Sequence, residues 1–206
     1  MLGIAAPDRL LKPGRAKPAD RLLVTRPIAV EGTAMLALEL ADRLSRELGA
    51  EFVGRAAALL DNPGISVVVD ASILLDTGWV TALHDPTEGG LATGIRELAA
   101  ASRTGAFVAE SAIPVHAETR AIATLLGLDP LGMLASGTLL AAIDPAGMAD
   151  VEQACVSNGI PFAWIGKLSS AEKGCRIRTA GGERDLQVFD TDEASRALNQ
   201  WKGMKS

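Results

Sequence analysis

Residues 79–99 read WVTALHDPTEGGLATGIRELA, and this stretch decides the fold. Residues 79–83 form a short apolar run rich in β-formers, which predicts a strand. Leu91, Ile95, Leu98 and Ala99 recur at the spacing of one helix face, which predicts a helix opened by Gly89-Gly90 and ended by Gly105. Between them lies the turn His84-Asp85-Pro86-Thr87-Glu88-Gly89-Gly90. Pro86 fixes one φ and removes one donor. Asp85 and Thr87 are short polar side chains that can hydrogen-bond nearby amides. A strand that turns directly into an amphipathic helix is the building unit of a layered α/β domain.

The same alternation continues on both sides. Residues 21–25 read as a buried strand ended by Pro27. Leu36, Leu40, Leu44 and Leu48 then recur every fourth position, predicting one long helix with Thr33 as N-cap and Gly49 past its end. That leucine stripe is either core or a partner surface. A second helical piece covers residues 52–60. Residues 65–75 carry two signals: Ile65 and Val67 to Val69 favour strand, whereas Ser66 as N-cap favours helix, and helix is preferred. Strands follow at residues 106–110, 138–143 and 162–168. Helices are expected from His116 or Ala117 to Leu126, stopped by Gly127, and from Pro145, with Met148, Val151 and Cys155 inward and Gly159 closing it. Residues 175–179 and 184–189 flank Gly181-Gly182, a hairpin signal. Asp192 is placed to cap a last helix. The sum is a mixed sheet covered by helices on at least one face.

Composition narrows the function classes. The 206 residues suit one domain with short appendages, divided as a 1–20 lead-in strand and linker, a 21–190 domain and a 191–206 tail. With four Phe, three Trp and no Tyr, the core must be aliphatic. A net charge of −5 with interspersed signs offers no footprint for nucleic acid or anionic membrane. Residues 1–20 lack the apolar core of a signal peptide, and no apolar run reaches a membrane span. Cys155 and Cys175 are isolated and read as free thiols, so a cytoplasmic location is expected.

The chemistry concentrates in the 84–90 turn. A glycine pair lets backbone approach another group closely and leaves helix N-terminal amides free, an arrangement that suits anions. Asp85 and Glu88 in the same turn would repel a phosphate unless a cation lay between or they faced elsewhere. Two readings therefore stand: a ligand-binding loop, or a structural turn in which Asp85 and Thr87 cap the helix. The turn lacks the glycine and lysine pattern of a P-loop and the spaced glycines of a dinucleotide-binding fingerprint. His84, beside Asp85, is either a general base or a turn residue. Ser136-Gly137 before a strand either lines a cleft or only enters the strand. His116 marks a helix start. No set of nucleophile, base and orienting acid can be assigned by spacing, and no Cys or His spacing suits zinc.

The segment HDPTEGGLATGIREL resembles the signature of the superfamily that contains aminoimidazole ribonucleotide synthase, selenophosphate synthetase, thiamine-monophosphate kinase and the hydrogenase-maturation carbamoyl dehydratase. Gly14 to Asp20 with Leu22 to Thr25, Val30-Glu31-Gly32-Thr33-Ala34, Ile113-Pro114-Val115, Thr119-Arg120, Leu126 to Pro130, Ser136 to Leu140 and Ile165 to Leu168 also resemble it, in order, across most of residues 14–190. The likeness to the hydrogenase-maturation branch is best over 110–190. The resemblance implies the superfamily's C-terminal domain: an α/β (α+β) fold, three-layer α/β/α with a mixed sheet, partly ferredoxin-like. It also implies that the loop carrying Asp85, Thr87, Glu88, Gly89 and Gly90 faces a joint where an N-terminal domain holds ATP and, through aspartates, Mg2+.

This sequence departs from the complete pattern. The acidic metal-binding segment of the N-terminal domain is not present, and residues 1–11 resemble the strand and linker that follow it. The terminal cysteine of the carbamoyl dehydratase branch is replaced by the ending Trp201-Lys202-Gly203-Met204-Lys205-Ser206, and Ser136 stands where that branch commonly has an acid.

Three functions fit. The chain is a C-terminal domain that binds a phosphate-bearing ligand or a partner protein and completes an ATP-dependent enzyme in trans. In that case His84, Asp85, Thr87, Glu88, Gly89, Gly90, Ser136 and Gly137 are ligand-facing, no residue is a metal ligand on its own, and ATP and Mg2+ require a separate N-terminal-type subunit. Alternatively it is a self-sufficient enzyme with a new site on this scaffold, or a structural or regulatory homo-oligomer.

Overall fold

A computed structural model of the chain describes residues 10–11 and 14–203, with the side chain of residue 202 excepted. Of the expected 1–20 lead-in, residues 1–9 and 12–13 lie outside the described residues. Seven strands form a single sheet in the order β2-β4-β1-β5-β3-β6-β7. They are β1 (Arg21–Thr25), β2 (Val80–His84), β3 (Thr104–Ala109), β4 (Leu139–Ile143), β5 (Phe162–Ser170), β6 (Cys175–Thr179) and β7 (Gly182–Asp185). All ladders are antiparallel except that between β3 and β6. The sheet is therefore mixed.

Helices cover both faces. β1 shows why: its side chains alternate across the pleat, and both sets are buried. Leu22 and Val24 join one cluster with α1 (Val30–Glu39), α2 (Ala41–Leu48), α3 (Ala50–Ala58), α5 (Gly90–Ala101), α6 (Ala117–Leu126) and α8 (Glu193–Gly203). Leu23 joins the other with α4 (Val68–Asp76) and α7 (Met148–Ser157). β4 repeats the pattern, Leu140 and Ala142 against Leu139, Ala141 and Ile143. The result is the three-layer α/β/α domain expected. None of the described helices is, singly, long and apolar enough to cross a membrane.

Several local expectations are corrected. The leucine stripe does not lie on one helix, because the chain breaks at Leu40 (φ −111°) into α1 and α2. Leu36, Leu40 and Leu44 are all buried, so this part of the stripe is core. Thr33 is not an N-cap. It lies inside α1, buried, where its hydroxyl donates back to the Ala29 carbonyl at 2.6 Å and meets the Thr119 hydroxyl at 2.8 Å. Ser66 caps nothing, since α4 begins two residues later behind Val67 without a side-chain cap. Gly105 does not end α5; it sits inside β3, where a Cβ would lie 2.5 Å from the Gly174 carbonyl oxygen. The second hairpin strand starts at Gly182 and is shorter than residues 184–189 suggested. The segment set apart as a 191–206 tail supplies α8, whose Ala194 and Ala197 are part of the core.

Candidate functional site

The 84–90 loop leaves the sheet at His84, the last residue of β2, and ends where α5 begins. Gly89 holds a left-handed conformation (φ 74°), which a glycine adopts without strain. Gly90 is also left-handed (φ 63°), and a Cβ there would lie 2.4 Å from the Leu131 carbonyl oxygen and 2.6 Å from that of Met133. Gly90 therefore serves close approach of backbone to backbone within the chain, whereas a Cβ on Gly89 would meet the Thr93 side chain.

Two of the amides expected to be free are engaged. Gly90 N–H donates to the Thr87 carbonyl at 3.0 Å, and Gly89 N–H donates to Oδ2 of Asp192 at 3.1 Å. The Thr87 carbonyl also accepts from Ala135 N–H at 3.3 Å, which ties the loop to the segment before β4. Neither Asp85 nor Thr87 caps α5: its N-terminus receives no local side-chain cap, and the carboxylate that serves it comes from the other end of the chain.

The side chains point the other way. Asp85, Thr87 and Glu88 are exposed, with Pro86 buried between them. Partial desolvation pushes the Asp85 carboxyl above its usual range, opposed by nearby His84 and reinforced by the charge of Glu31 at the start of α1. Glu88 is held below its usual range by its own backbone amide and by the Thr87 hydroxyl. Among the described residues, no group of three or more His, Cys, Asp or Glu could hold a metal ion. Four cavities of roughly 360–540 Å3 lie elsewhere, and no residue of the loop lines them. Asp85, Thr87 and Glu88 lie on open surface.

His84 is built into the scaffold. Its Nε2 donates to Oε2 of Glu97 on α5 at 2.7 Å, and its Nδ1 is buried without a hydrogen-bond partner. A Cβ on Gly94 would lie 3.4 Å from that Nδ1 and 3.0 Å from the Pro86 ring, so the missing side chain at Gly94 is what lets the ring lie against α5. A general base needs a ring nitrogen within reach of a substrate proton. Here one nitrogen is paired and the other enclosed. Gly137 is left-handed (φ 97°), and a Cβ there would lie 2.8 Å from the Gly64 carbonyl oxygen. Ser136-Gly137 thus joins the loop side of the molecule to the 60–64 turn, with Ser136 half-buried.

The residues that sequence reasoning missed are acids and their partners from distant segments. Asp192 was expected to cap α8, and its Oδ1 does accept from Ala194 and Ser195 amides at 2.9 and 3.2 Å. Its second oxygen reaching Gly89, 103 positions away, had no local signal. On the other face, buried Asp70 accepts from the Thr25 hydroxyl and from Arg26, both at 2.7 Å.

Residues 17–177 match the family described as AIR synthase related protein, C-terminal domain. The chain belongs to this family. It is 33% identical over 143 residues to carbamoyl dehydratase HypE of Rhizobium leguminosarum bv. viciae, covering 69% of this chain and 38% of that protein. With HypE of Rhodobacter capsulatus it shares 27% identity over 199 residues, 95% of this chain and 55% of that protein. The crystal structure of E. coli HypE superposes with a TM-score of 0.71 at 26% identity, over 90% of this chain and 55% of that one. A HypE structure in complex with ATP gives 0.69 at 24%, a likeness of fold, over 92% and 56%. The chain spans about half or less of the length of these relatives. The family assignment places the loop on the domain type that the sequence resembled, with HypE proteins among its relatives.

Proposed function

We propose that the chain serves as the C-terminal half of an AIR synthase-type module, presenting the 84–90 loop to a phosphate-bearing ligand held jointly with an N-terminal-type domain on a separate subunit. One observation carries this reading: Asp85, Thr87 and Glu88 stand exposed on a backbone whose turning amides are already satisfied within the chain. Such a loop is polar and open, so whatever it binds must be enclosed from the other side. Its carboxylates suit a hard cation such as Mg2+ bridging to phosphate oxygens better than they suit a bare phosphate. The relatives named carbamoyl dehydratase HypE, and the HypE structure described in complex with ATP, support the direction of this proposal.

The test is a calorimetric and thermal-shift titration with ATP, ADP, inorganic phosphate and Mg2+, on the chain alone and mixed with an N-terminal-type subunit. A ligand-induced shift in the mixture, weakened by both Asp85→Ala and Thr87→Ala, is the expected result. Absence of both a complex and a ligand shift in the mixture would overturn it.

Self-association has an observation of its own. Ile65, just after the 60–64 turn, and Val68 and Val69 at the start of α4 are 41%, 72% and 63% exposed, apolar side chains of the kind that mark contact surfaces. Sedimentation of the purified chain, with Val68→Lys as the control, separates a homo-oligomer from a monomer.

A further inference from the structure

The family match ends at residue 177, yet a helix beyond it holds the loop in place. Asp192 is 7% exposed and lies where two helix N-termini converge. Oδ1 takes the Ala194 and Ser195 amides of α8, and Oδ2 takes the Gly89 amide at the start of α5. One carboxylate thus satisfies the positive ends of two helices. Its one charged neighbour of note is Glu88, of the same sign, so those amides are what hold it.

At its other side α8 is tied to a different part of the molecule. Glu193 accepts from the Asp129 amide at 3.0 Å and pairs with Arg196 at 2.6 Å. Arg196 donates to the Gly127 carbonyl at 3.0 Å. Asp129 in turn accepts from the Leu131 amide at 2.9 Å, in the short helical turn whose backbone presses on Gly90. The side-chain hydrogen bonds of Glu193 and Arg196 run to each other, to Asp129 and to Gly127, away from the 84–90 loop.

We propose that α8 is a strap and Asp192 a positioning residue: docking of α8 sets the conformation in which the 84–90 loop is presented. The inference rests on the reading of that loop as ligand-facing, and makes α8 the element that regulates it. A free α5 N-terminus would attract an external anion; with α8 docked, the protein's own carboxylate holds that end.

Amide hydrogen exchange of the full chain tests the coupling without any ligand. Arg196→Ala, which removes side-chain hydrogen bonds to Glu193 and Gly127, is expected to speed exchange of residues 89–92 together with α8, by about fivefold to tenfold, the scale of losing one helix cap. Asp192→Ala should do the same at 89–92, Asp192→Asn less, and β4 should stay unchanged in all. Glu193→Gln is the gentler second variant should Arg196→Ala fold poorly. If Arg196→Ala or Glu193→Gln loosens only α8 and residues 127–129 while 89–92 exchange as in the wild type, the strap is overturned. Unaltered exchange at 89–92 in Asp192→Ala overturns it as well. Mg2+ with ATP separates this inference from the functional reading. Coupled exchange together with a Mg2+-ATP shift that Asp85→Ala weakens supports both, whereas coupled exchange with no such shift supports the strap and counts against the loop as a ligand site.

Discussion

Asp70 on one face of the sheet and Asp192 on the other each pin a helix to the core, but with different partners. Asp70, 1% exposed, faces a full positive charge: Arg26 reaches it at 2.7 Å, the Thr25 hydroxyl donates to its second oxygen, and Arg26 also donates to the Pro63 and Ser66 carbonyls. That network locks α4 and the 60–66 turn onto the end of β1. Asp192 has only amides and helix ends. Burial pushes its carboxyl above the usual range, amide hydrogen bonds from Ser195, Gly89 and Ala194 oppose this, and Glu88 adds to the rise. A buried acid paired with a cation is a fixed joint. One held by backbone dipoles alone is a weaker joint, and it sits beside the loop that carries the exposed Asp85, Thr87 and Glu88.

The largest expected effect tests the fixed joint. Asp70→Ala leaves Arg26 without its partner in a site where its side chain is only 16% exposed, and should destabilise the fold by about 3–5 kcal/mol in denaturant unfolding. A loss below about 1 kcal/mol would erase the contrast with Asp192.

Next comes the weaker joint. Asp192→Ala should cost about 1–2 kcal/mol, the worth of a helix cap, with Asn retaining most of it. A cost equal to that of Asp70→Ala would break the comparison.

Acid titration sharpens it through sign. Glu193 is held below its usual range, first by its hydrogen bond with Arg196 and then by the Asp129 amide, against the cost of burial. Its stabilising share is present above the ordinary carboxylate value and is lost as pH falls through its lower folded value. Asp192 has the opposite sign: raised in the fold, it favours the folded state on the acid side, and that share fades as pH rises through its folded value. Glu193→Gln should therefore remove a pH-dependent loss of about 1 kcal/mol below the ordinary carboxylate range, a figure discounted because Arg196 is partly exposed. An unchanged acid limb in thermal melts would show that this pair contributes nothing.

The smallest effect uses Cys155 as a reporter. Burial, with Asp70 and Glu152 adding to it, raises this thiol to about 11, so at pH 8 it is neutral and enclosed within the Asp70 face. Labelling by a thiol reagent should accelerate in Asp70→Ala and stay at the wild-type rate in Asp192→Ala. Acceleration in both would mean that the two faces open together.

Much of the fold was legible because its signals are local. The strand, turn and helix of residues 79–101 follow from periodicity and glycine placement, and the match to residues 17–177 bears out the family resemblance carried by HDPTEGGLATGIREL. The errors were also local in kind. Thr33 and Ser66 have the chemistry of caps, but Thr33 was drawn into the core by Thr119 and Ser66 lies two residues ahead of the helix it was expected to cap. Gly105 looked like a helix stop, whereas close approach of the Gly174 backbone explains it.

What the sequence by itself determined is the alternation of strands and helices, the aliphatic core, the family, and the loop on which polar chemistry gathers. These depend on neighbours within a turn or two. What only the tertiary structure decided is who satisfies whom: that Gly89 and Gly90 spend their amides inside the chain, that His84 is paired with Glu97 against α5, and that Asp192 caps two helices at once. The reason is physical. A buried polar group takes whichever partner the packing of distant segments brings within about 3 Å, and no local pattern records that choice.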